Sequence, residues 1–171
     1  MKSVVVYESH WGNTAAVARA IATGLGPDTQ VLATDEATDA VMADADLVVA
    51  GGPVFALRLP TDGMLAKLGE GDEQPAPDLS HPLLRSWIER LPAGRGRSAA
   101  FETALRWSPA GATGTIERGL ARAGYRRLAR GHRFIVTGRH GPLRDGELEA
   151  AHAWGVELRR LAEPMPRGAT S

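Results

Sequence analysis

At 171 residues, with 43% hydrophobic residues and a formal net charge of zero, the chain suits one domain with a single core. It has no cysteine, which excludes disulfides, iron–sulfur ligation and thiol chemistry, and no apolar run approaches the roughly 20 residues of a membrane span. The zero conceals a division: residues 1–80 carry 4 Lys and Arg against 12 Asp and Glu, and residues 81–171 carry 16 against 8, so the halves stand at −8 and +8.

Val4-Val5-Val6-Tyr7 reads as a buried strand that opens the chain directly, with no basic segment or signal-type apolar stretch before it. The expectation is a cytoplasmic protein. Ala15 to Leu25 reads as a helix, with apolar residues at Val17, Ala18, Ile21, Ala22 and Leu25. Between the two lies Ser9-His10-Trp11-Gly12-Asn13-Thr14, small or hydroxyl-bearing for the most part and without a full positive charge at neutral pH. A strand that turns into a helix N-terminus presents unpaired N–H groups and the positive end of the helix dipole, which suit a phosphate. Ser9, Asn13 and Thr14 add donors. The same residues also read as an ordinary turn in which Asn13 or Thr14 caps the helix. The P-loop pattern and the G-x-G-x-x-G dinucleotide fingerprint are both absent.

Strand and helix patterns then alternate. Strands are expected at Gln30 to Ala33, Asp46 to Ala50, Arg97 to Phe101 and Phe134 to Thr137. Helices are expected at Thr38 to Ala43, Asp62 to Leu68, Leu83 to Leu91, Thr113 to Ala123 and Asp145 to Ala162. A polar stretch rich in Gly, Pro and acids, residues 69–82, interrupts the pattern. Residues 164–171 read as a mobile tail beyond a domain of residues 1–163. Five strands alternating with helices indicate a doubly wound parallel sheet in three layers. In the order 2-1-3-4-5 the loops after the first, third and fourth strands meet at one crevice. Those loops hold Trp11, Phe55 and Trp107, in a chain that is only 5% aromatic.

The histidines, at 10, 81, 132, 140 and 152, show no metal-ligand spacing on one helix face. A lone loop histidine such as His10 reads as a solvated bystander. The arginines at 118, 122, 126, 127, 130 and 133 come with no nucleic-acid motif and no interleaved aromatics, so nucleic acid is not the expected partner. No nucleophile triad or carboxylate pair is evident. The opposed charges of the two halves permit head-to-tail self-association.

The opening V-V-V-Y-E-S-H-W-G-N-T-A-A-V-A-R-A-I-A-T-G-L resembles that of flavodoxins and flavodoxin-like proteins, whose loop runs (T/S)-x-(T/S)-G-N-T or close to it. Gly51-Gly52-Pro53 after V-V-A, the A-A-F strand near Ser98, and F-I-V-T-G-R-H-G-P-L followed by D-G-E-L-E-A-A are similar to the same group. The resemblance implies the 2-1-3-4-5 order, the shorter form of the fold and non-covalent FMN. It places Ser9, Trp11, Asn13 and Thr14 about the phosphate, with backbone amides from His10 through Gly12 to Thr14. Pro53, Val54, Phe55 and Ala56 in the second loop, and Thr103, Ala104 and Trp107 in the third, complete the implied cofactor-binding set. Phe55 and Trp107 would approach the two flavin faces.

Three departures stand out. Trp11 replaces a hydroxyl, neither Tyr7 nor Tyr125 matches the tyrosine that often stacks on the ring, and the chain is neutral where electron carriers of this kind are acidic. Arg58 or Arg106 beside the ring would raise its potential. The implied role is electron transfer with a redox partner protein or a small acceptor such as a quinone. An FMN-dependent NAD(P)H:quinone-type oxidoreductase and a flavin-free interaction domain of the same fold are the alternatives.

Overall fold

In the computed structural model, which describes residues 1–163, alternate residues of each strand face opposite sides of one parallel sheet. The strands are β1 (Ser3–Tyr7), β2 (Thr29–Ala33), β3 (Leu47–Pro53), β4 (Arg97–Leu105), β5 (Arg126–Arg127) and β6 (His132–Val136). The helices are α1 (Asn13–Leu25), α2 (Asp39–Ala43), α3 (Asp62–Gly69), α4 (Leu84–Glu89), α5 (Thr113–Arg122) and α6 (Glu147–Ala162). The expected tail, residues 164–171, lies outside the described residues.

The sheet runs β2-β1-β3-β4-β5, and β6 also pairs with β4. β5 pairs with Arg97 and Ser98, β6 with Phe101 to Leu105, so one strand position is filled in two pieces. This is the doubly wound order expected from the sequence. Val5, Leu47, Val49, Ala99 and Phe101 pack with Val17, Ile21 and Leu25 of α1 and with Trp154 and Leu158 of α6. Val4, Val6, Val48, Ala50 and Ala100 pack on the other face with Met42 of α2, Trp87 and Ile88 of α4, and Ile116 and Leu120 of α5. The result is three layers.

β3 runs three residues past Ala50, to Pro53, and the ends of β4 and of the fifth strand also differ from expectation. β4 runs four residues past Phe101, so Thr103 and Ala104 lie in the strand and not in the loop after it. Glu102 follows Phe101 and reads as a strand end, but its carboxylate is buried and satisfied. One oxygen accepts from the amides of Ala112 and Thr113 at the start of α5, and the other from Arg133 Nε at 2.6 Å. The first piece of the fifth strand, Arg126–Arg127, is two exposed arginines and carries no apolar signal.

α1 and α6 meet at two glycines. A β-carbon on Gly24 would lie 2.1 Å from the His152 carbonyl oxygen, and one on Gly155 2.2 Å from that of Ile21. These are backbone atoms in packed helices and cannot swing aside. Gly155→Ala should therefore destabilise by about 1–3 kcal/mol through overpacking. A thermal melt followed by circular dichroism should show Tm lower by about 2–12 °C. An unchanged Tm would mean that the helices can separate at no cost.

Candidate functional site

The loops after β1, β3 and β6, with the end of β4 and α3, surround a cavity of about 400 Å³ at the carboxyl edge of the sheet. Its floor on one side is the start of α1, with Ser9, Asn13 and Thr14. Gly12, in the left-handed region at φ 86°, turns the chain into α1, a conformation glycine adopts without strain. The Ser9 hydroxyl accepts the Gly12 amide at 3.1 Å. Among the described residues the amides of Asn13, Thr14 and Ala15 have no partner, no side chain caps the helix and its first turn holds no acid. The capping role considered for Asn13 or Thr14 is not filled. The Asn13 carboxamide donates to the His140 carbonyl at 3.0 Å, and the Thr14 hydroxyl lies 2.8 Å from that of Thr103. Gly141, at φ 100°, gives Asn13 room, since a β-carbon there would lie 2.5 Å from the carboxamide nitrogen.

His10 is no solvated bystander: it is 5% exposed. Its Nδ1 lies 2.8 Å from the Asp78 carbonyl, which can only accept, and its Nε2 lies 2.8 Å from a Glu8 carboxylate oxygen. The other Glu8 oxygen accepts the Leu84 amide at 2.8 Å. A doubly protonated ring satisfies both contacts. Burial opposes that charge, but the hydrogen bonds to Glu8 and to the Asp78 backbone, with the charges of both residues, outweigh it and raise the His10 pKa above its ordinary 6.5.

Trp11 does not stand in the loop as an idle replacement for a hydroxyl. Its indole donates to the Pro75 carbonyl at 2.8 Å, and its ring lies 4.6 Å from that of His140 and 5.8 Å from that of Phe55. Residues 71–78, read from sequence only as a polar interruption, thereby form a strap across the cavity. Gly71 and Glu73 line it, and Glu73 is ion-paired with Arg139 at 2.7 Å and lies 2.5 Å from His140 Nε2, outside hydrogen-bond geometry.

The end of β3 and the loop after it place Pro53, Val54, Phe55 and Ala56 on the cavity wall. Phe55 and Arg58 exchange both backbone hydrogen bonds, at 2.8 and 3.0 Å, around a two-residue tip with Ala56 at φ 43° and Leu57 at φ 72°. Such a turn favours Asn and Gly, and each side chain held at positive φ costs about 1–3 kcal/mol. Thr103 lines the cavity from within β4; Ala104, its neighbour in the strand, is buried and does not. Trp107 is also outside the cavity, 74% exposed, because the turn after Leu105 carries it into solvent. Arg58 and Arg106 do not line the cavity either. The cations that do are Lys67 and Arg139.

Sequence reasoning missed Met64, Lys67 and Leu68 of α3, together with Val136 and Arg139. The i, i+3, i+4 spacing of the first three was a usable signal. Val136 ends β6 and Arg139 lies in the loop after it, where the rule that selected the other loops applies equally.

No protein-family model and no curated protein sequence matches the chain, whereas its structure is similar to many solved ones. A flavodoxin from the domain Archaea is 20% identical with a TM-score of 0.63, covering 95% of this chain and 99% of that one. Oxidised Flavodoxin 1 from Bacillus cereus is 16% identical with a TM-score of 0.64, covering 94% and 98%. The rubredoxin oxygen:oxidoreductase of Desulfovibrio gigas is 15% identical with a TM-score of 0.60, this chain spanning 36% of its length. The fold is that of the flavodoxins.

Two expectations follow. Because folding raises the His10 pKa, its stabilisation is complete below the unfolded value near 6.5 and is lost as pH rises through the folded value. Urea midpoints measured from about pH 5.5 to about pH 9 should fall with pH more steeply than in His10→Gln. Equal slopes would contradict the assignment. Leu57→Gly, by relieving positive-φ strain, should stabilise by about 1 kcal/mol and raise Tm by about 2–4 °C. A lower Tm would show that the turn is not strained.

Proposed function

We propose that the chain binds FMN non-covalently and transfers electrons between it and a redox partner. The carrying observation is the open N-terminus of α1, with its unpartnered amides facing the cavity wall formed by Ser9, Asn13 and Thr14. An anion of the phosphate type suits that helix end, where dipole and amides act together without a cation. The donor set and the cavity fit the group. About 400 Å³ lies within the range of small-molecule sites, and Phe55, Val54, Met64, Leu68, Leu105 and Val136 offer apolar and aromatic surface to a planar ring. The similarity to flavodoxin structures supports the same reading.

FMN would supply the redox chemistry. This chain's residues have the tasks of binding and shielding. Asn13 and Thr14, held by His140 and Thr103, fix the phosphate end. Trp11, Phe55 and the strap over Glu73 keep water from the ring. Lys67 and Arg139 set positive charge at the wall, partly offset by Glu73. Those two cations also favour a second reading, an FMN-dependent reductase of quinone-type acceptors. Measurable NAD(P)H-driven quinone turnover would distinguish it from a carrier.

FMN titration should quench flavin fluorescence with saturation at one equivalent. Thr14→Val should weaken binding about tenfold or more, the magnitude of a lost hydrogen bond to a charged group. A colourless purified protein that leaves FMN fluorescence unquenched would overturn the proposal.

A further inference from the structure

Trp107 is 74% exposed, the reverse of a tryptophan's usual fate. The cause is not a loose loop. The Ser108 amide donates to the Leu105 carbonyl at 3.0 Å, and the Ser108 hydroxyl to that of Ala110 at 2.8 Å. Arg133 holds the same turn from β6, donating to Glu102 at 2.6 Å and to the carbonyls of Ser108 and Ala110 at 2.7 and 3.0 Å. Leu57, 45% exposed, stands on the paired hydrogen bonds of Phe55 and Arg58. The two tips leave adjacent strands, since Pro53 pairs with Thr103 and the Val54 amide donates to the Thr103 carbonyl at 2.9 Å. Leu57 follows Ala56, and Trp107 lies two residues past Leu105; both Ala56 and Leu105 line the cavity. Two apolar side chains are thus displayed on rigid turns at its lip.

The charge on this lip has one sign. Residues 53–61 and 103–111 contain Arg58 and Arg106 and no acid, and neither arginine forms an ion pair among the described residues. The next acids along the chain are the exposed Asp62 at the start of α3 and Glu70 and Asp72 on the approach to the strap, and none of the three lines the cavity. Aromatic and arginine side chains already ordered before contact are what strong interface anchors consist of.

We propose that Leu57, Arg58, Arg106 and Trp107 form a docking surface for an acidic electron-transfer protein. The purpose of the surface rests on the FMN reading, but its binding does not require the cofactor. One electron crosses per encounter, lost by the donor centre and gained by the acceptor, and no bond forms or breaks.

The test uses two soluble redox proteins of opposite charge, an acidic plant-type ferredoxin and a basic cytochrome c, titrated calorimetrically into the protein with and without FMN. Ferredoxin should bind, with affinity falling as salt rises from about 20 mM to about 200 mM, and cytochrome c should bind more weakly. The double substitution R58Q/R106Q should weaken ferredoxin binding about threefold to tenfold at low salt. Trp107→Ala should weaken it roughly thirtyfold at both salt concentrations. FMN affinity should be unchanged in both variants, because none of the four residues lines the cavity. The proposal is overturned by absent ferredoxin binding, by a preference for cytochrome c, or by variants within about twofold of the parent. It is equally overturned if sedimentation shows a dimer that R58Q/R106Q dissociates, which would make the lip a self-association surface. A protein that never takes up FMN but binds ferredoxin with this variant pattern would remove the FMN reading and leave the surface standing.

Discussion

Glu8 is the buried group through which most of the site is positioned. It lies just past the end of β1, 1% exposed, with one carboxylate oxygen against His10 and the other accepting the Leu84 amide at the start of α4. His10 extends the link to Asp78, whose amide donates back to the His10 carbonyl at 2.7 Å. Polar atoms at this depth are costly to bury unless neighbours pair with them, and both Glu8 oxygens are paired. The sheet, the first loop, α4 and the strap therefore hold one arrangement together. Loss of any partner would leave a buried donor or acceptor unmatched, at a cost larger than an ordinary hydrogen bond contributes.

The same economy of helix ends makes α1 informative. Glu8 satisfies an amide at the start of α4, Glu102 satisfies two at the start of α5, and Thr61 caps α3. α2 has Asp39 in its first turn and α6 has Glu147 and Glu149. Among the described residues α1 is the helix whose first turn has neither a capping side chain nor a carboxylate. The hydroxyl and carboxamide that could have capped it are bound elsewhere, by Thr103 and His140. Each of the other helices has a cap, a neighbouring carboxylate or an acid in its first turn, whereas α1 has none of these and opens toward a cavity, an arrangement that suits an anion from outside.

Much of this was legible in the sequence, and the physical reasons separate what was from what was not. Buried strands are short apolar runs, so β1 and β3 were visible, and α1 showed its apolar spacing directly. The crevice followed from topology, since loops at strand carboxyl ends converge wherever the order reverses. What escaped depends on partners distant in sequence. The burial of His10 is set by Asp78, 68 residues away, and the position of Trp11 by Pro75, 64 residues away. Gly and Pro in residues 69–82 signal irregular backbone but not what that backbone covers. Trp107 was drawn toward the cavity by its place after the fourth strand and by the family resemblance; the turn that exposes it is held by Arg133, a partner distant in sequence.

The balanced charge acquires a local meaning once the halves are placed. The strap comes from the acidic half, the β4 turn and the loop after β6 from the basic half, and they meet across the cavity mouth at Glu73 and Arg139. The pair lies at 2.7 Å with Glu73 half-buried and Arg139 exposed, so opposite signs on the two halves add a modest, solvent-screened attraction between the strap and the loop after β6. Pairing of that kind consumes arginines. Arg139 has Glu73, Arg133 has Glu102 and Arg144 has Glu147. Among the described residues Arg58 and Arg106, like several other surface arginines, have no ion-pair partner, and these two flank the two most exposed apolar side chains on the lip. An unmatched charge beside an ordered aromatic adds nothing to folding, since each would be as well solvated on any surface. Its value lies in a contact made with another molecule, and the sign of the charge specifies that molecule as acidic.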